Sequence, residues 1–155
     1  MSEHRVTGAL PQIMREIDEI MRANIGTRVD FADRDVEKRR PDLPLDALRQ
    51  IVRNALIHRN YEGTDAPVRI SRFTDWVEVH SPGGPFGQVT IETFGQPGST
   101  DYRNPSVAGA LGQLGFVQRF GAGIAIARAA LERTGNPALE LHPVPTHVLA
   151  CLRFE

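Results

Sequence analysis

A polar row accompanies the apolar stripe of one predicted helix. Gln50, Asn54 and His58 recur every four residues, and a rotation of about 100° per residue places them on one side of an α-helix. The amide oxygen of the asparagine could coordinate a hard cation. The row could equally be the wetted edge of the helix, and its spacing does not decide between the two.

Two glycine-containing segments could bring backbone close to a ligand. Ser81-Pro82-Gly83-Gly84 follows a predicted strand and would let a flat ligand approach, with a hydrogen bond from Ser81; alternatively it is a turn that ends a hairpin. Gly121-Ala122-Gly123 opens a predicted helix, whose N–H groups and dipole attract phosphate. It is not a P-loop, because no Lys-Ser/Thr follows, and it lacks the third glycine of a dinucleotide fingerprint.

Other reactive side chains favour structural roles. His80, His142 and His147 are too scattered along the sequence to suggest a metal site. Cys151 is the single cysteine and lies in an apolar run, which predicts a buried strand residue. One cysteine also excludes an internal disulfide and a zinc site built on several thiolates.

The elements that position these residues follow from apolar periodicity and from turn residues. An exposed strand or loose hairpin is the interpretation of the charged segment 28–39. The other elements predicted before residue 81 are an amphipathic helix over 9–23, a helix that begins at Pro44 and ends before Gly63, and antiparallel strands over 68–73 and 76–80 joined by a turn at 74–75.

A long loop separates the elements before residue 81 from the C-terminal helices and strand. Residues 81–104 are too many for a passive connection and are typical of a lid, a binding loop or disorder, with a short helical stretch predicted around 89–94. Asn104-Pro105 has the form of an N-cap followed by an N1 proline. Two helices and a strand over 147–154 follow. This order predicts an α+β two-layer sandwich, with a mixed, mainly antiparallel sheet covered on one face by helices.

Composition excludes several classes of protein. The chain has 155 residues, 41% apolar and 24% charged, with a formal net charge of −1, which is typical of a soluble globular domain. A balanced charge gives no general argument for binding nucleic acid or an anionic membrane. No apolar run approaches the roughly 20 residues that span a bilayer, and no signal peptide is evident. We therefore expect a cytoplasmic protein.

In their order, these motifs resemble a known family. The sequence is similar to the divergent ATP-binding domains called RecG C-terminal-like ATPases, which are found behind Schlafen AlbA-type domains in bacterial and archaeal regulators. Those domains look like distant members of the GHKL superfamily (gyrase, histidine kinase and MutL type), which has the Bergerat fold. The resemblance is carried by residues 48–61, 77–84, 103–124 and, more weakly, 9–25.

The resemblance implies ATP or ADP with Mg²⁺ as ligands. Asn54 would hold the Mg²⁺ that bridges the phosphates, the segment 81–84 would read the adenine amino group, and the glycine box 121–124 would hold phosphates. Arg103-Asn104-Pro105 is a family signature that could border the phosphates, and His58-Arg59 is another that could contact them or fix the helix end. The implied binding residues are Asn54, His58, Arg59, Ser81, Gly83, Gly84, Arg103, Asn104, Gly121, Ala122, Gly123 and Ile124.

Two positions depart from the superfamily pattern. ATP-hydrolysing members carry a Glu four residues before the helix asparagine, where this chain has Gln50. A carboxamide cannot take a proton near neutral pH, and loss of a general base costs about 10²–10⁴-fold in rate, so no catalytic residue is assigned. The superfamily's adenine-reading Asp is replaced by Ser81, which accepts a hydrogen bond without a charge.

We expect a nucleotide-binding regulatory module of a transcriptional regulator, with slow hydrolysis or none. The alternatives are a scaffold that has lost its ligand and serves protein association or DNA-linked regulation, and a slow Mg²⁺-dependent ATPase. DNA contact is expected only through another domain, homo-oligomerisation stays open, and no membrane is involved. The predicted organisation is a linker-like helix over 1–26, packed on a nucleotide-binding domain over 27–155, and we expect this domain to be part of a longer regulator or a stand-alone remnant of one.

Overall fold

The computed structural model describes residues 3–33, 36–117 and 121–155. Helices and strands alternate in short groups along the chain. They are α1 (Leu10–Asn24), β1 (Thr27–Asp33), β2 (Val36–Pro41), α2 (Leu45–His58), β3 (Arg69–Arg72), β4 (Trp76–Pro82), α3 (Pro105–Gln113), α4 (Gly123–Thr134), β5 (Glu140–Val144) and β6 (His147–Arg153).

Four strands form the main sheet in the order β3-β4-β6-β5, and every described pairing is antiparallel. The strands β1 and β2 pair separately as an antiparallel hairpin. This confirms the α+β sandwich predicted from sequence. The hairpin predicted over 28–39 is present, although its residues 34 and 35 lie outside the described part of the chain. The strand β5 was not predicted.

Helices cover one face of the sheet. Val77 and Val79 of β4 stand opposite Leu152 and Ala150 of β6, and all four are buried. Full burial of one such aliphatic side chain contributes about 1.5–3 kcal/mol. Seven residues of α2 pack in the same core, together with three small or aliphatic residues of α4. Because two of those three are alanines, Ala127 and Ala130, the α4 backbone can approach α2 closely.

The opposite face of the sheet carries polar side chains. Successive residues of a strand point to opposite faces, so Glu78, His80 and Cys151 lie on the face away from the helices, as do Glu140 and His142. Cys151 is nevertheless buried, as predicted.

The first helix packs against α2. Met14 and Met21 of α1 are buried in the core, and Asp18 accepts a hydrogen bond from Arg49 Nε at 3.1 Å. The same carboxylate lies 3.6 Å from Arg53 Nη2.

The predicted helical stretch around 89–94 forms turns rather than a helix. Within the described residues, no helix has the length and apolar character needed to cross a bilayer.

Candidate functional site

A cavity of about 360 Å³ lies between α2, the end of β4, the long loop 83–104 and the start of α4. Its volume falls within the range of about 300–1,000 Å³ typical of small-molecule sites. Eight of the residues predicted to bind a ligand line it: Asn54, His58, Ser81, Gly83, Gly84, Gly121, Gly123 and Ile124. Four others, Arg59, Arg103, Asn104 and Ala122, do not line it.

The start of α4 presents backbone donors that have no partner within the helix. The N–H of Ile126 makes the first intrahelical bond, to Ala122 O at 2.9 Å, so the three N–H groups of residues 123–125 have no acceptor within the helix. No side chain of the described residues caps this end, and its first turn carries no acidic residue. The partial positive charge of the helix end therefore points toward the cavity without a compensating carboxylate from its own first turn.

The glycines at this end permit two close approaches. Gly121 has φ +73°, and a Cβ there would lie 3.0 Å from Thr100 Oγ1 in the long loop. A Cβ on Gly123 would lie 3.3 Å from Gln50 Oε1 on α2. The start of α4 thus lies next to the polar row of α2, and Asn54, one turn further along that row, reaches the same cavity.

Ser81 is the buried polar residue of the opposite wall, with 7% exposure. Its Oγ donates a hydrogen bond to Ala55 O at 3.0 Å. Because the hydroxyl hydrogen is used in that bond, the oxygen keeps only its lone pairs for a ligand. Ser81 can therefore accept from an amino group but cannot donate to a carbonyl without breaking its contact with α2.

The neighbouring glycines are required by the fold itself. Gly83 has φ +95°, and its N–H donates to Thr146 O at 2.8 Å. A Cβ on Gly84 would overlap the backbone carbonyls of Val144 and Pro145 in the β5–β6 turn. This packing explains both glycines without a ligand, although both also line the cavity.

His58 lies at the edge of the cavity in a neutral state. Its ring stacks on Tyr102 with centroids 5.4 Å apart. Burial lowers the pKa of His58 below its ordinary 6.5, and the nearby Arg103 guanidinium lowers that pKa further. At neutral pH the imidazole is uncharged, so it can exchange a hydrogen bond with a ligand but does not add positive charge for phosphates.

The two predicted arginines hold protein carbonyls. Arg103 donates from Nη2 to Gly84 O at 3.2 Å, with its Cζ 4.9 Å from the centre of the Phe86 ring. Arg59 donates to Ala66 O at 2.8 Å and stacks on Tyr61. In both side chains the Nε atom is buried and has no hydrogen-bond partner among the residues that the structure describes. Arg103 thus fastens the start of the long loop, whereas Arg59 faces the segment after α2.

Asn104 has a different role from the one predicted. It precedes α3, but its side chain makes no capping hydrogen bond to that helix, and the N-cap prediction is wrong in this respect. Its Nδ2 instead donates to Ile57 O at 2.9 Å and to Arg59 O at 2.6 Å. Ile57 lies in the last turn of α2 and Arg59 is its C-cap, where carbonyls have no N–H donor within the helix. Asn104 therefore fixes the C-terminal end of the helix that carries Asn54.

Sequence reasoning missed several polar residues that line the cavity. Asp101 accepts hydrogen bonds from the N–H groups of Gln88 and Tyr102 at 3.0 and 2.9 Å. Arg128 donates to Gly95 O at 2.6 Å, and Glu132 lies one turn further along α4. Continuing the helical row from Ile124 in steps of four would have found Arg128 and Glu132. Asp101 carried no such signal, because it depends on how the loop folds.

Known proteins resemble this chain in fold and in family. The crystal structure of the DIP2311 protein from Corynebacterium diphtheriae is similar, with a TM-score of 0.76 and 24% identity over 91% of this chain. This chain spans 28% of that protein's length, and at this identity the similarity establishes the fold alone. No curated protein gives a significant match.

A family model gives the more specific match. The model described as "Putative ATP-dependent DNA helicase recG C-terminal" matches residues 65–152, which is more than half of the 155 residues. The matched region runs from β3 to β6 and includes the Ser81–Gly84 turn, the long loop and the start of α4. The chain therefore belongs to this family of RecG C-terminal-like ATPase domains.

Proposed function

We propose that the chain is an ATP- or ADP-binding regulatory module of the GHKL type that binds the nucleotide with Mg²⁺ and hydrolyses ATP slowly or not at all. The observation that carries the proposal is the convergence of Asn54 and the uncapped start of α4 on one cavity. These two groups lie far apart in the sequence and have complementary roles toward a polyphosphate. Membership of an ATPase-type family supports the same ligand.

The phosphate end would lie between α2 and α4. The N–H groups at residues 123–125 are suited to phosphate oxygens, and no carboxylate in that first turn opposes an anion. The residues present also fit Mg²⁺, which prefers oxygen donors and usually retains substrate phosphates and water. Asn54 offers an amide oxygen, and Asp101 and Glu132 are carboxylate residues that line the same cavity. When bound, the cation would neutralise charge on the phosphates.

The base end would lie against the sheet. Ile51, Val79 and Ala150 line this side of the cavity together with Val148 and Leu141, and such apolar surfaces suit a flat aromatic ring. Ser81 Oγ supplies an acceptor for an exocyclic amino group, because its own hydrogen is held by Ala55 O. A neutral acceptor gives weaker discrimination than the carboxylate of the superfamily, so we expect modest selectivity for adenine over guanine.

The hydrolysis step lacks its usual general base. Gln50 lies beside the start of α4 but has no titratable group. The carboxylates on the cavity wall belong to the long loop and to α4 rather than to the α2 row. Proton abstraction from an attacking water is therefore unassisted in the α2 row, and turnover should be slow.

The regulatory output would come from the long loop. Arg103 and Arg128 tether it through Gly84 O and Gly95 O, and Thr100 lies beside Gly121. A phosphate ligand at this position would alter those contacts, and ordering of a loop by phosphate is an established switching mechanism. In a longer transcriptional regulator the loop would transmit occupancy to another domain, and any DNA contact would be made there.

Thermal unfolding with ATP or ADP, with and without Mg²⁺, tests binding. A ligand at 100 times its Kd should add about 2.7 kcal/mol to the free energy of unfolding. Asn54→Ala should remove the Mg²⁺-dependent part of the shift, whereas Asn24→Ala, at the exposed end of α1, should retain it. Absence of any Mg²⁺-dependent shift at millimolar ATP would leave the ligand-free scaffold as the better description.

Phosphate release tests the absence of a base. Gln50→Glu restores the superfamily residue and should raise ATP turnover by about 10²–10⁴-fold, and the further change Asn54→Ala should remove that gain. A wild-type rate that equals that of Gln50→Glu and depends on Asn54 would show that the chain is an active ATPase with another base.

A further inference from the structure

Three metal-ligating side chains meet on the open face of the sheet, away from the cavity. Glu140 of β5 pairs directly with Cys151 of β6, and His142 follows Glu140 on the same face of β5. One ligand atom from each residue lies within 4.8 Å of the other two. The scatter of histidines along the sequence was therefore misleading for His142, because strand pairing brings it next to the single cysteine.

We propose that Glu140, His142 and Cys151 form a binding site for a divalent transition-metal ion of the zinc class. A thiolate, an imidazole and a carboxylate are the three ligand types that zinc accepts in proteins. With the thiol deprotonated, the three ligands carry a charge of −2, which matches the divalent ion. The site is separate from the proposed nucleotide cavity and does not depend on it.

One distance within the cluster already matches that of a tetrahedral site. Zinc–ligand bonds of about 2.0–2.3 Å place neighbouring ligand atoms about 3.4 Å apart. Glu140 Oε2 and His142 Nε2 are already 3.5 Å apart. Cys151 is held in a central strand of the sheet, whereas the ring of His142 is exposed and can rotate toward it. Three protein ligands leave a fourth position for water or an exogenous group.

The surrounding charges support a cation at this position. Arg153 donates from Nε to Glu140 Oε1, which orients the carboxylate and leaves Oε2 facing His142; hydrogen bonds of this kind commonly fix ligating carboxylates. Glu78 pairs with Cys151 from the β4 side. The Glu78 carboxylate thus adds a negative charge on the same face of the sheet.

Titration of the full chain with Co²⁺, followed by competition with Zn²⁺, tests the site. We expect one equivalent of Co²⁺ to give a thiolate-to-cobalt charge-transfer band that Zn²⁺ abolishes. Cys151→Ser should lose the band. His142→Ala and Glu140→Gln should each weaken Co²⁺ binding by at least about tenfold, since even partners outside the ligand set commonly contribute 10–100-fold.

Matched variants keep the result interpretable. His142 is exposed, so its substitution tests the site even if Cys151→Ser unfolds the buried strand. His147→Ala removes a histidine from the same face that is not part of the cluster, and it should bind Co²⁺ like wild type. Absence of a charge-transfer band in wild type would overturn the proposal. So would a band of unchanged affinity in both His142→Ala and Glu140→Gln, because it would show a thiol binding alone.

Discussion

Two glycine-containing turns, at 83–84 and at 121–123, border the cavity, and their glycines have different structural roles. At 83–84 the backbone of the β5–β6 turn occupies the space that a side chain on Gly84 would need, and Gly83 combines a positive φ with a hydrogen bond to Thr146. At 121–123 the nearest atoms to an added Cβ are the side chains of Thr100 and Gln50. The N–H groups that follow have no acceptor within α4.

The difference separates a turn that the fold requires from one that remains available to a ligand. In the first turn, the backbone donors and the glycine surfaces contact other parts of the chain. In the second turn, the residues that carry the free donors line the cavity, and the nearest atoms that limit the space belong to side chains. Similar Gly-rich sequences therefore predict opposite consequences of mutation, which the following substitutions test.

Gly84→Ala should give the largest effect. Its methyl group would overlap two backbone carbonyls that cannot rotate away, and overpacking of this kind costs about 3 kcal/mol at the upper end of its usual range. Denaturant unfolding measures the loss. Wild-type stability in this variant would show that the turn is not as tightly packed as described.

Asn104→Ala should cause the next largest loss of stability. It removes two hydrogen bonds to the last carbonyls of α2, and at about 1 kcal/mol each the loss is about 2 kcal/mol in the free energy of unfolding. Asn104→Asp is a useful companion, because a carboxylate cannot donate to those carbonyls and should be at least as destabilising. A tolerated Asp would indicate that Asn104 does not fix the end of α2.

Ala125→Glu, next to the second turn, should leave stability intact and lower the affinity for ATP. A carboxylate in the first turn of α4 interacts favourably with the helix dipole, by about 0.3–1 kcal/mol, so the fold should be retained or slightly stabilised. The same charge occupies the proposed phosphate position, and ATP affinity should fall at least about tenfold. Ala125→Gln is the neutral control of the same size and should lower ATP affinity less than Ala125→Glu. Equal affinities for the two variants would place the phosphates elsewhere.

His58 should give the smallest effect, on the pH dependence of stability. Burial and Arg103 lower its folded-state pKa below 6.5, so the unfolded chain binds a proton first as the pH falls. The contribution of the neutral imidazole is present above pH 6.5 and is lost between that pH and the lower folded-state value. Unfolding titrations at several pH values should show a shallower acid loss in His58→Asn. An identical pH profile in the variant would contradict the buried, neutral state.

Periodicity made most of the fold predictable, while tertiary contacts decided what was missed. The stripe of α2 and the turn at Thr74-Asp75 are local signals. The strand β5 was missed because Pro143 weakens its pattern, and a proline is tolerated there because β5 is an edge strand. The capping role of Asn104 arises only when α3 meets the end of α2, which no local pattern contains.

The candidate site was predictable only where local sequence signals define its residues. Asn54 and the 121–123 segment could be named from helix geometry and helix-end chemistry. The position of Asp101 depends on how residues 83–104 fold, and the proximity of His142 to Cys151 depends on the register of β5 with β6. Both arise from pairings between distant residues, which a single sequence does not specify.

The central claim is that Asn54 and the start of α4 hold the same polyphosphate. Amide-resolved NMR of the 155-residue chain with Mg²⁺-ATP, and separately with adenosine, tests it directly. Mg²⁺-ATP should shift the backbone amides of Gly123, Ile124 and Ala125 and the side-chain amide of Asn54 together, whereas adenosine should shift residues near Ser81 and leave those amides unchanged. Saturating Mg²⁺-ATP that leaves either group unperturbed would contradict the claim.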